Sequence, residues 1–335
     1  MPNEHFLVTG AAGFIGAWVT HTLVGQGVRV TAFDLSSDRR RLRYLMTGGQ
    51  LAGVHFVQGD ITDTDAVRQL VAEHNISHII HLAALQVPFC QANPPLGARV
   101  NVVGTANVFE AAKAAGVSHI AYASSAAVYG VEAEYEAGPV ANDAPLLPRT
   151  LYGVYKQANE GMARVYWLDD GISSIGLRPY VVYGVGRDQG LTSTPTKAML
   201  AAALGRPYEI SYGGRFNMQF AADVAQTFIR AARTPIKGAR AYNLRGAAPH
   251  MRDVVQAIEQ ARPEIAGQIT FVDHPLPFPP DLDDRSLQEA LGDVPQTPLA
   301  DGVRQTVERF AELAAQGLVG EEDLDDRRRQ TADRG

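Results

Sequence analysis

The stretch VTGAAGFIG, residues 8–16, decides the fold because it joins an apolar run to a segment of helical period through Gly10, Gly13 and Gly16. Glycines let the chain turn tightly and let its backbone approach a pyrophosphate, while the amides at a helix N-terminus favour negative charge. A glycine pattern can equally form a bare turn, so the dinucleotide interpretation depends on the segments around it.

The first half of the chain alternates short apolar runs with alanine-rich segments of helical period, which is typical of a parallel sheet covered by helices on both faces. The predicted strands are HFLVTG, VRVTAFD, VHFVQGD, HIIHLAA, HIAYASS and SSIGLRPYVVYG. The predicted helices include residues 14–25, 64–74, 97–115 and 150–170. We therefore predict an α/β fold, a Rossmann-like doubly wound parallel sheet with a smaller α/β C-terminal substrate lobe.

The alternation of strand-like and helix-like segments weakens after about residue 185, where Pro and Gly become frequent. We predict that residues 1–180 form the cofactor domain and that residues 216–245 return to it. Residues 181–215 and 246–320 are predicted to form the smaller substrate-binding lobe. The charged segment 321–335 is predicted to be a flexible tail because it has almost no apolar residue.

The amino-acid composition limits the kinds of molecule that the protein is expected to bind. The formal net charge of −6 disfavours a nucleic acid or an anionic membrane, so a small-molecule substrate is expected. Cys90 is the only cysteine, which excludes an intrachain disulfide and a paired-cysteine zinc site, and no metal is predicted. The sequence shows no basic leader and no apolar run of about 20 residues, so we expect a cytoplasmic protein with no membrane partner.

The end of the second predicted strand indicates the cofactor. Asp34 follows Gly16 by 18 residues, close to the spacing at which an acidic side chain binds the adenosine ribose hydroxyls. Its carboxylate would repel a 2′-phosphate, which favours NAD over NADP. The basic run at residues 39–43 keeps NADP open, since an arginine there could pair with that phosphate, although a solvated helix start is the simpler interpretation.

Two further strand ends fall where a dinucleotide would lie. Asp60 and Ile61 follow the third strand and could contact the adenine, although Asp60 could also be an N-cap or turn residue. The small residues of HLAA, residues 81–84, close the fourth strand and leave room for the cofactor. A tightly packed strand end would explain them as well.

The segment RTLYGVYKQANEG, residues 149–161, places two tyrosines before a lysine. Tyr152 and Lys156 are four residues apart, so they share one helix face, whereas Tyr155 lies about 100° round the helix from Lys156. A nearby ammonium stabilises a phenolate, which makes Tyr152 the candidate acid/base. The alternative is an incidental pattern on a surface helix, with both tyrosines in packing roles.

These motifs together resemble the extended short-chain dehydrogenase/reductases, also called the NAD-dependent epimerase/dehydratase family. The resemblance runs from VTGAAGFIG through GDITD, HLAA, SSAAVYG, YGVYK and LRPYVVYG to FAADVA and YNLRG. It implies hydride transfer at a secondary alcohol or ketone, with Tyr152 as acid/base, Lys156 on the nicotinamide ribose and Ser125 on the reacting oxygen. The implied cofactor-binding set is Gly10, Gly13, Phe14, Ile15, Gly16, Asp34, Leu35, Asp60, Ile61, Leu82, Ala83, Ala84, Asn101, Tyr152, Lys156, Pro179 and Val181.

Three departures from the family pattern bear on the substrate. Ala126 and Ala127 replace the Asp-Glu pair of family dehydratases, so dehydration is not expected. Val181 stands where nucleotide-sugar enzymes usually carry asparagine. Phe216 takes the place of their pyrophosphate-binding arginine, with Arg215 displaced by one residue, and such a slip on a strand reverses the side-chain direction unless a bulge restores it.

The leading hypothesis from the sequence is therefore an NAD-dependent dehydrogenase for a small polar substrate without a nucleotide, such as a sugar, polyol or sugar acid. The first alternative is a nucleotide-sugar epimerase resembling UDP-glucose 4-epimerase, with tightly bound NAD, and the second is a non-catalytic nucleotide sensor. The predicted substrate-binding set is Gln86, Ser125, Ala126, Tyr152, Tyr180, Arg187, Arg215 and Gln219. Apolar residues on helices 97–115 and 150–170 suggest a homodimer, and burial within one chain would explain much of the same pattern.

Overall fold

The central sheet is buried on both faces, which is why its strands read as nearly continuous apolar runs. All residues of strand β1 (His5–Thr9) are buried, and successive side chains point to opposite faces. Phe6 and Val8 belong to one apolar cluster, and Leu7 belongs to the cluster on the other face. The sequence pattern thus produces two helix-covered layers around one sheet.

The computed structural model describes residues 4–325. The remaining strands are β2 (Arg29–Asp34), β3 (His55–Gln58), β4 (His78–His81), β5 (His119–Ala123), β6 (Ser173–Arg178), β7 (Val181–Tyr183), β8 (Tyr208–Ile210), β9 (Met218–Phe220), β10 (Ala239–Asn243) and β11 (Ile269–Phe271). The helices are α1 (Phe14–Gly25), α2 (Arg40–Leu45), α3 (Gly48–Ala52), α4 (Thr64–Glu73), α5 (Val87–Ala92), α6 (Pro94–Ala98), α7 (Gly104–Ala115), α8 (Leu151–Asp170), α9 (Thr194–Ala203), α10 (Ala221–Arg233), α11 (Met251–Ala261), α12 (Arg285–Leu291) and α13 (Leu299–Ala315). No helix within this part of the chain is long and apolar enough to cross a bilayer.

The seven-stranded sheet is parallel throughout, in the order β10-β6-β5-β4-β1-β2-β3. The chain order reverses between β1 and β4, and a doubly wound sheet binds its ligands in the crevice at such a reversal. Thr9 pairs in register with Phe33 on one side and His81 on the other, so these three strand ends lie together. The predicted α/β class is confirmed.

The sixth predicted strand divides in two. β6 ends at Arg178 in the central sheet, and β7 begins at Val181 in a separate two-stranded sheet with β9. Pro179 has no backbone N–H to continue the ladder, and the Val181 N–H donates to Asn217 O at 3.3 Å. The chain therefore leaves the main sheet beside the crevice.

A second apolar core joins β7, α9, β9, α11 and α13. α10 instead packs against α1, and β10 forms one edge of the central sheet. The predicted division into a cofactor domain and a substrate lobe, with its boundaries, stays a prediction. Of the predicted tail, residues 321–323 form a 3-10 turn, and residues 326–335 lie outside the described residues.

His81 links three elements at the crevice through its imidazole ring. Its Nδ1 lies 2.7 Å from Thr9 Oγ1, and its Nε2 lies 3.0 Å from Thr105 Oγ1. Thr105 already donates its hydroxyl hydrogen to Asn101 O at 2.7 Å, so it accepts from Nε2–H. Burial, assisted by the Lys156 charge, lowers the pKa of His81 to about 3. The ring is therefore neutral at physiological pH.

We expect His81 to destabilise the fold in acid. Its pKa is about 3 in the folded chain and about 6.5 when unfolded, so the unfolded state binds more protons between these values. As pH falls from 7 to 4.5, the free energy of unfolding should decrease by about 2 kcal/mol more in the wild type than in His81→Gln. Urea unfolding of both proteins across this pH range measures the difference. Parallel stability curves would contradict it.

Candidate active site

The glycine turn brings backbone from three segments into contact. Gly10 has φ of +69°, and a Cβ there would lie 2.7 Å from Ala83 N at the end of β4. A Cβ at Gly16 would lie 2.1 Å from Gly10 O. Gly13 is the N-cap of α1 and provides no side-chain cap, so the amides of the first helical turn have no side-chain partner there. This cradle fits the pyrophosphate of a dinucleotide.

Asp34 lies at the end of β2, directly above the cradle. Its Oδ2 accepts from Ala12 N–H at 2.9 Å, and its Oδ1 accepts from Ser36 N–H at 2.9 Å. Burial is the largest influence on its pKa and raises it, although these two hydrogen bonds oppose that effect. A fixed carboxylate at this position fits the ribose hydroxyls of NAD.

The basic run makes contacts within the protein. Arg39 lies over the Phe56 ring, with Cζ 4.3 Å from the ring centroid. Arg40 and Arg41 pair with Asp188 at 3.4 and 2.7 Å, and Arg41 Nη1 also donates to Ala12 O at 3.0 Å. Arg41 thus connects the glycine turn to the loop after β7. Because its guanidinium is engaged in these contacts, it favours NAD over a cofactor with a 2′-phosphate.

The other predicted cofactor residues follow the same edge of the sheet. Asp60 is exposed and its Oδ1 accepts from Thr62 N–H at 2.8 Å, so it also stabilises a turn. Ile61 is buried against Gly104, and Leu35 is exposed. Phe14 and Pro179 are buried, whereas the half-buried residues are Ile15, Leu82, Ala83 and Ala84.

Asn101 lies in a π-helical turn, Arg99–Val103, between α6 and α7. Its Oδ1 accepts from Leu85 N–H at 2.7 Å and its Nδ2 donates to Leu85 O at 2.9 Å. The Asn101 carbonyl accepts from Asn159 Nδ2 at 2.9 Å. Asn101 therefore ties the loop after β4 to α8, the helix of the Tyr-Lys pair, and π turns of this kind often occur at functional sites.

Ser125, Tyr152 and Lys156 come together at the carboxyl edge of β5. Lys156 is buried, its Nζ donates to Ala123 O at 2.6 Å, and it lies 5.6 Å from the Tyr152 ring centroid. Burial raises the pKa of Tyr152, while a hydrogen bond from Ser125 and the Arg187 charge lower it. Burial lowers the pKa of Lys156 to about 8. A substrate oxygen beside Ser125 and Tyr152 would meet one group that donates hydrogen bonds and one that can exchange a proton.

Tyr155 has a different environment. Its hydroxyl donates to Pro94 O at 3.0 Å, and a Cβ at Gly97 would lie 3.0 Å from its ring. This side chain therefore packs α8 against α6. The structure thus separates the two tyrosines as the helix spacing predicts.

A buried ionic group positions α8, and sequence reasoning missed it. Arg178 donates to Glu160 from Nε at 2.9 Å and from Nη2 at 2.7 Å. Ser124 Oγ donates to Glu160 Oε1 at 2.5 Å. Glu160 lies four residues after Lys156, so the helical period that identified the lysine face could have included it.

The substrate candidates divide by exposure. Ala126 is buried and its N–H donates to Pro179 O at 2.9 Å. Gln219 is buried, and its Oε1 accepts from Tyr180 N–H at 2.9 Å. Phe216 is fully buried, whereas Arg215 is exposed and its Nη2 donates to Ala248 O at 3.0 Å. These contacts are compatible with either substrate binding or packing within the protein. The substrate-binding assignments therefore stay predictions.

Gln86 and Arg187 lie beside the catalytic group. A Cβ at Gly190 would lie 2.2 Å from Gln86 Oε1 and 3.3 Å from Arg187 Nη2, so both side chains reach the same point of the loop. The Arg187 charge also acts on Tyr152. Gln86 is the N-cap of α5, which packs against α8, so both side chains lie on the side of the crevice that carries Tyr152.

Comparison with known proteins gives a family match, curated relatives and similar solved structures. Residues 6–244 match the NAD-dependent epimerase/dehydratase family. UDP-glucose 4-epimerase of Mycolicibacterium smegmatis is 34% identical, covering 91% of this chain and 97% of the relative. UDP-glucuronate 4-epimerase 4 of Arabidopsis thaliana is 34% identical over 53% of this chain and 41% of its own length. The crystal structure of UDP-glucose 4-epimerase from Brucella ovis in complex with NAD has a TM-score of 0.76 at 25% identity, covering 92% of this chain and 99% of that one.

Tyr152 and Tyr155 should differ in how far turnover depends on their hydroxyl groups. Tyr152→Phe should lower turnover roughly a hundredfold to ten-thousandfold because it removes the proton-exchanging group. Tyr155→Phe should leave turnover within a few-fold of wild type, because it loses only the bond to Pro94. Steady-state rates and the NAD content of the purified variants measure this. A fully active Tyr152→Phe enzyme would refute the assignment.

Two glycines of α8 differ in the room that they leave for a side chain. A Cβ at Gly153 would lie 2.1 Å from Ala127 O, whereas Gly161 has nothing within 4 Å. Gly153→Ala should therefore cost about 2 kcal/mol of stability and reduce turnover by displacing Tyr152. Gly161→Ala should stabilise the protein by about 0.5–1 kcal/mol. Urea unfolding and activity of both variants test the pair, and a stable, fully active Gly153→Ala would show that this close contact is not required.

Proposed function

The chain belongs to the NAD-dependent epimerase/dehydratase family, an enzyme family, and on that premise we propose that it is an NAD-dependent epimerase that inverts C4 of a UDP-sugar. The observation that carries the proposal is the 34% identity to a UDP-glucose 4-epimerase along 97% of that enzyme. This similarity favours the epimerase over the non-nucleotide dehydrogenase that the departures at Val181 and Phe216 suggest.

The cradle and Asp34 support NAD as the cofactor. When bound, NAD supplies a hydride acceptor that can also return the hydride. Tyr152 takes the proton from the sugar 4-hydroxyl and later returns it, and Ser125 hydrogen-bonds the same oxygen as negative charge develops. Lys156 stabilises the Tyr152 phenolate and is placed to bind the nicotinamide ribose. Inversion requires the sugar to turn in the crevice before the proton is returned.

A second candidate function is NAD-dependent dehydrogenation of a small polar compound. One structural observation favours it: Phe216 is fully buried in the second core and Arg215 points to the exterior. The place of the family's pyrophosphate-binding arginine is therefore apolar. In the epimerase, Arg215 would have to reach the diphosphate from its exposed position.

The exposed faces of the two long helices support a homodimer. Val103, Val154, Val165 and Leu168 are exposed by 46, 43, 52 and 66%. Val108 and Phe109 belong to the core of one chain, and the Tyr166 ring stacks on Phe109 at 4.7 Å. We propose pairing through helices 97–115 and 150–170, in a cytoplasmic enzyme.

The proposed function predicts epimerisation without net redox change. Purified protein, with no NAD added, should convert UDP-glucose to UDP-galactose or UDP-glucuronate to UDP-galacturonate, because the cofactor stays bound and is regenerated in each cycle. Chromatography of the sugar nucleotides and absorbance at the NADH maximum provide the two measurements. Sustained NADH formation with a free sugar, polyol or sugar acid, and no change in any nucleotide sugar, would favour the dehydrogenase.

A further inference from the structure

Arg187 is a cation without a carboxylate partner. Within residues 4–325 it forms no ion pair, and its Nε is buried without a hydrogen-bond partner. Its Nη2 donates to the neutral Thr192 Oγ1 at 3.1 Å, and its Cζ lies 5.8 Å from the Phe14 ring centroid. The adjacent Asp188 is bound by Arg40 and Arg41. Arg187 is half-buried, and its buried Nε without a partner is costly unless an acceptor arrives.

Two tyrosines add unused hydrogen-bond donors to the same region. The Tyr180 and Tyr212 hydroxyls are buried, and no described residue hydrogen-bonds to either. Burial raises the pKa of Tyr212, the Arg187 charge lowers it, and Tyr180 raises it further. Thr192, which accepts from Arg187, lies two residues before Thr194, whose hydroxyl bonds to that of Ser211 next to Tyr212. Tyr180 packs against the apolar core that contains Tyr212. The three polar groups therefore lie in one region. Each could donate to an acceptor oxygen placed among them.

The position of Arg187 relative to Tyr152 restricts which anion it can bind. Arg187 Nη2 and Gln86 Oε1 approach the same point at Gly190, Gln86 caps α5, and α5 packs against α8, the helix that carries Tyr152. The Tyr152 hydroxyl is the group assigned to the reacting oxygen at C4. In a hexuronate the carboxylate is carried by C5, the atom next to C4. The diphosphate of a nucleotide sugar is carried by C1, across the ring. An anion site beside Tyr152 therefore suits the C5 carboxylate better than the diphosphate.

We propose that Arg187, with the hydroxyls of Tyr180 and Tyr212, binds the carboxylate of a uronic acid, so that the substrate is a nucleotide-linked hexuronate. The inference rests on the proposed epimerase function and narrows its substrate class. Arg187 presents a planar pair of donors that matches a carboxylate. A neutral hydroxymethyl group would leave the guanidinium without an anionic partner.

The test compares UDP-glucuronate with UDP-glucose in the wild type and three variants. Wild-type kcat/KM should be at least roughly tenfold higher with UDP-glucuronate. Arg187→Gln should raise KM for UDP-glucuronate roughly tenfold to a hundredfold and change KM for UDP-glucose little. Tyr212→Phe should also raise KM for UDP-glucuronate more than KM for UDP-glucose, by a smaller factor. This variant remains informative if Arg187→Gln does not fold. Arg252→Gln, an exposed arginine on α11, is the matched control and should behave as wild type.

The other outcomes separate the two proposals. Equal effects of Arg187→Gln on both substrates, with loss of bound NAD, would overturn the inference and assign the arginine to the cofactor diphosphate. Efficient turnover of UDP-glucose alone would preserve the epimerase and overturn the inference.

If no nucleotide sugar reacts, the epimerase proposal fails, and thermal shifts of the NAD-loaded protein with free glucuronate and glucose test the site itself. A shift with glucuronate that Arg187→Gln abolishes supports the carboxylate site; equal shifts with both sugars refute it.

Discussion

The close approach of the Gly10 backbone to the end of β4 is the constraint on which the rest of the site depends. Gly10 adopts φ of +69° with no room for a Cβ against Ala83, so only glycine allows the turn and the strand end to meet. This contact opens the N-terminus of α1 towards the crevice. It also sets Thr9 beside His81, whose neutral ring continues the chain of hydrogen bonds to Thr105. The glycine cradle that fits the cofactor and the edge of the sheet are therefore positioned by the same close contact.

A second close contact positions the catalytic helix. α8 begins so near Ala127 that Gly153 has no room for a side chain. The Glu160 carboxylate then fixes the middle of the helix to Arg178 on β6 and to Ser124 after β5. Because these anchors lie on both sides of Lys156, the buried lysine and the half-buried Tyr152 are held at the carboxyl edge of the sheet. Burial makes their protonation sensitive to any charge that enters the crevice.

The substrate side of the crevice is built from different elements than the cofactor side. Its residues come from the loop after β7 and from the second core, where Phe216 is buried and Arg215 is turned outward. Arg41 connects this loop to the cofactor side, because it donates hydrogen bonds both to Ala12 O in the glycine turn and to Asp188 in the loop. These contacts occupy Asp188, whose charge still acts on Arg187 but which forms no ion pair with it among the described residues. Specificity would then arise from a cation that the protein partly buries and does not pair with a carboxylate.

The sequence by itself determined the parallel sheet, the glycine cradle, Asp34 and the pairing of Tyr152 with Lys156. Each depends on local spacing, either the periods of strand and helix or the short distance from a strand to its turn, and such spacing is visible without a tertiary structure. It also anticipated that Tyr155 would face elsewhere, which its bond to Pro94 reflects. The preference for a dehydrogenase came from two single-residue departures, and the full-length similarity to a UDP-glucose 4-epimerase favours the alternative.

Only the tertiary structure decided where β6 gives way to β7, that Glu160 and Arg178 meet, and that Arg187 and Gln86 meet at Gly190. These contacts join residues from separate elements, and their formation depends on the direction in which each side chain leaves its element. Tertiary packing sets that direction. The periodicity of a single segment carries no information about a partner on another strand or loop.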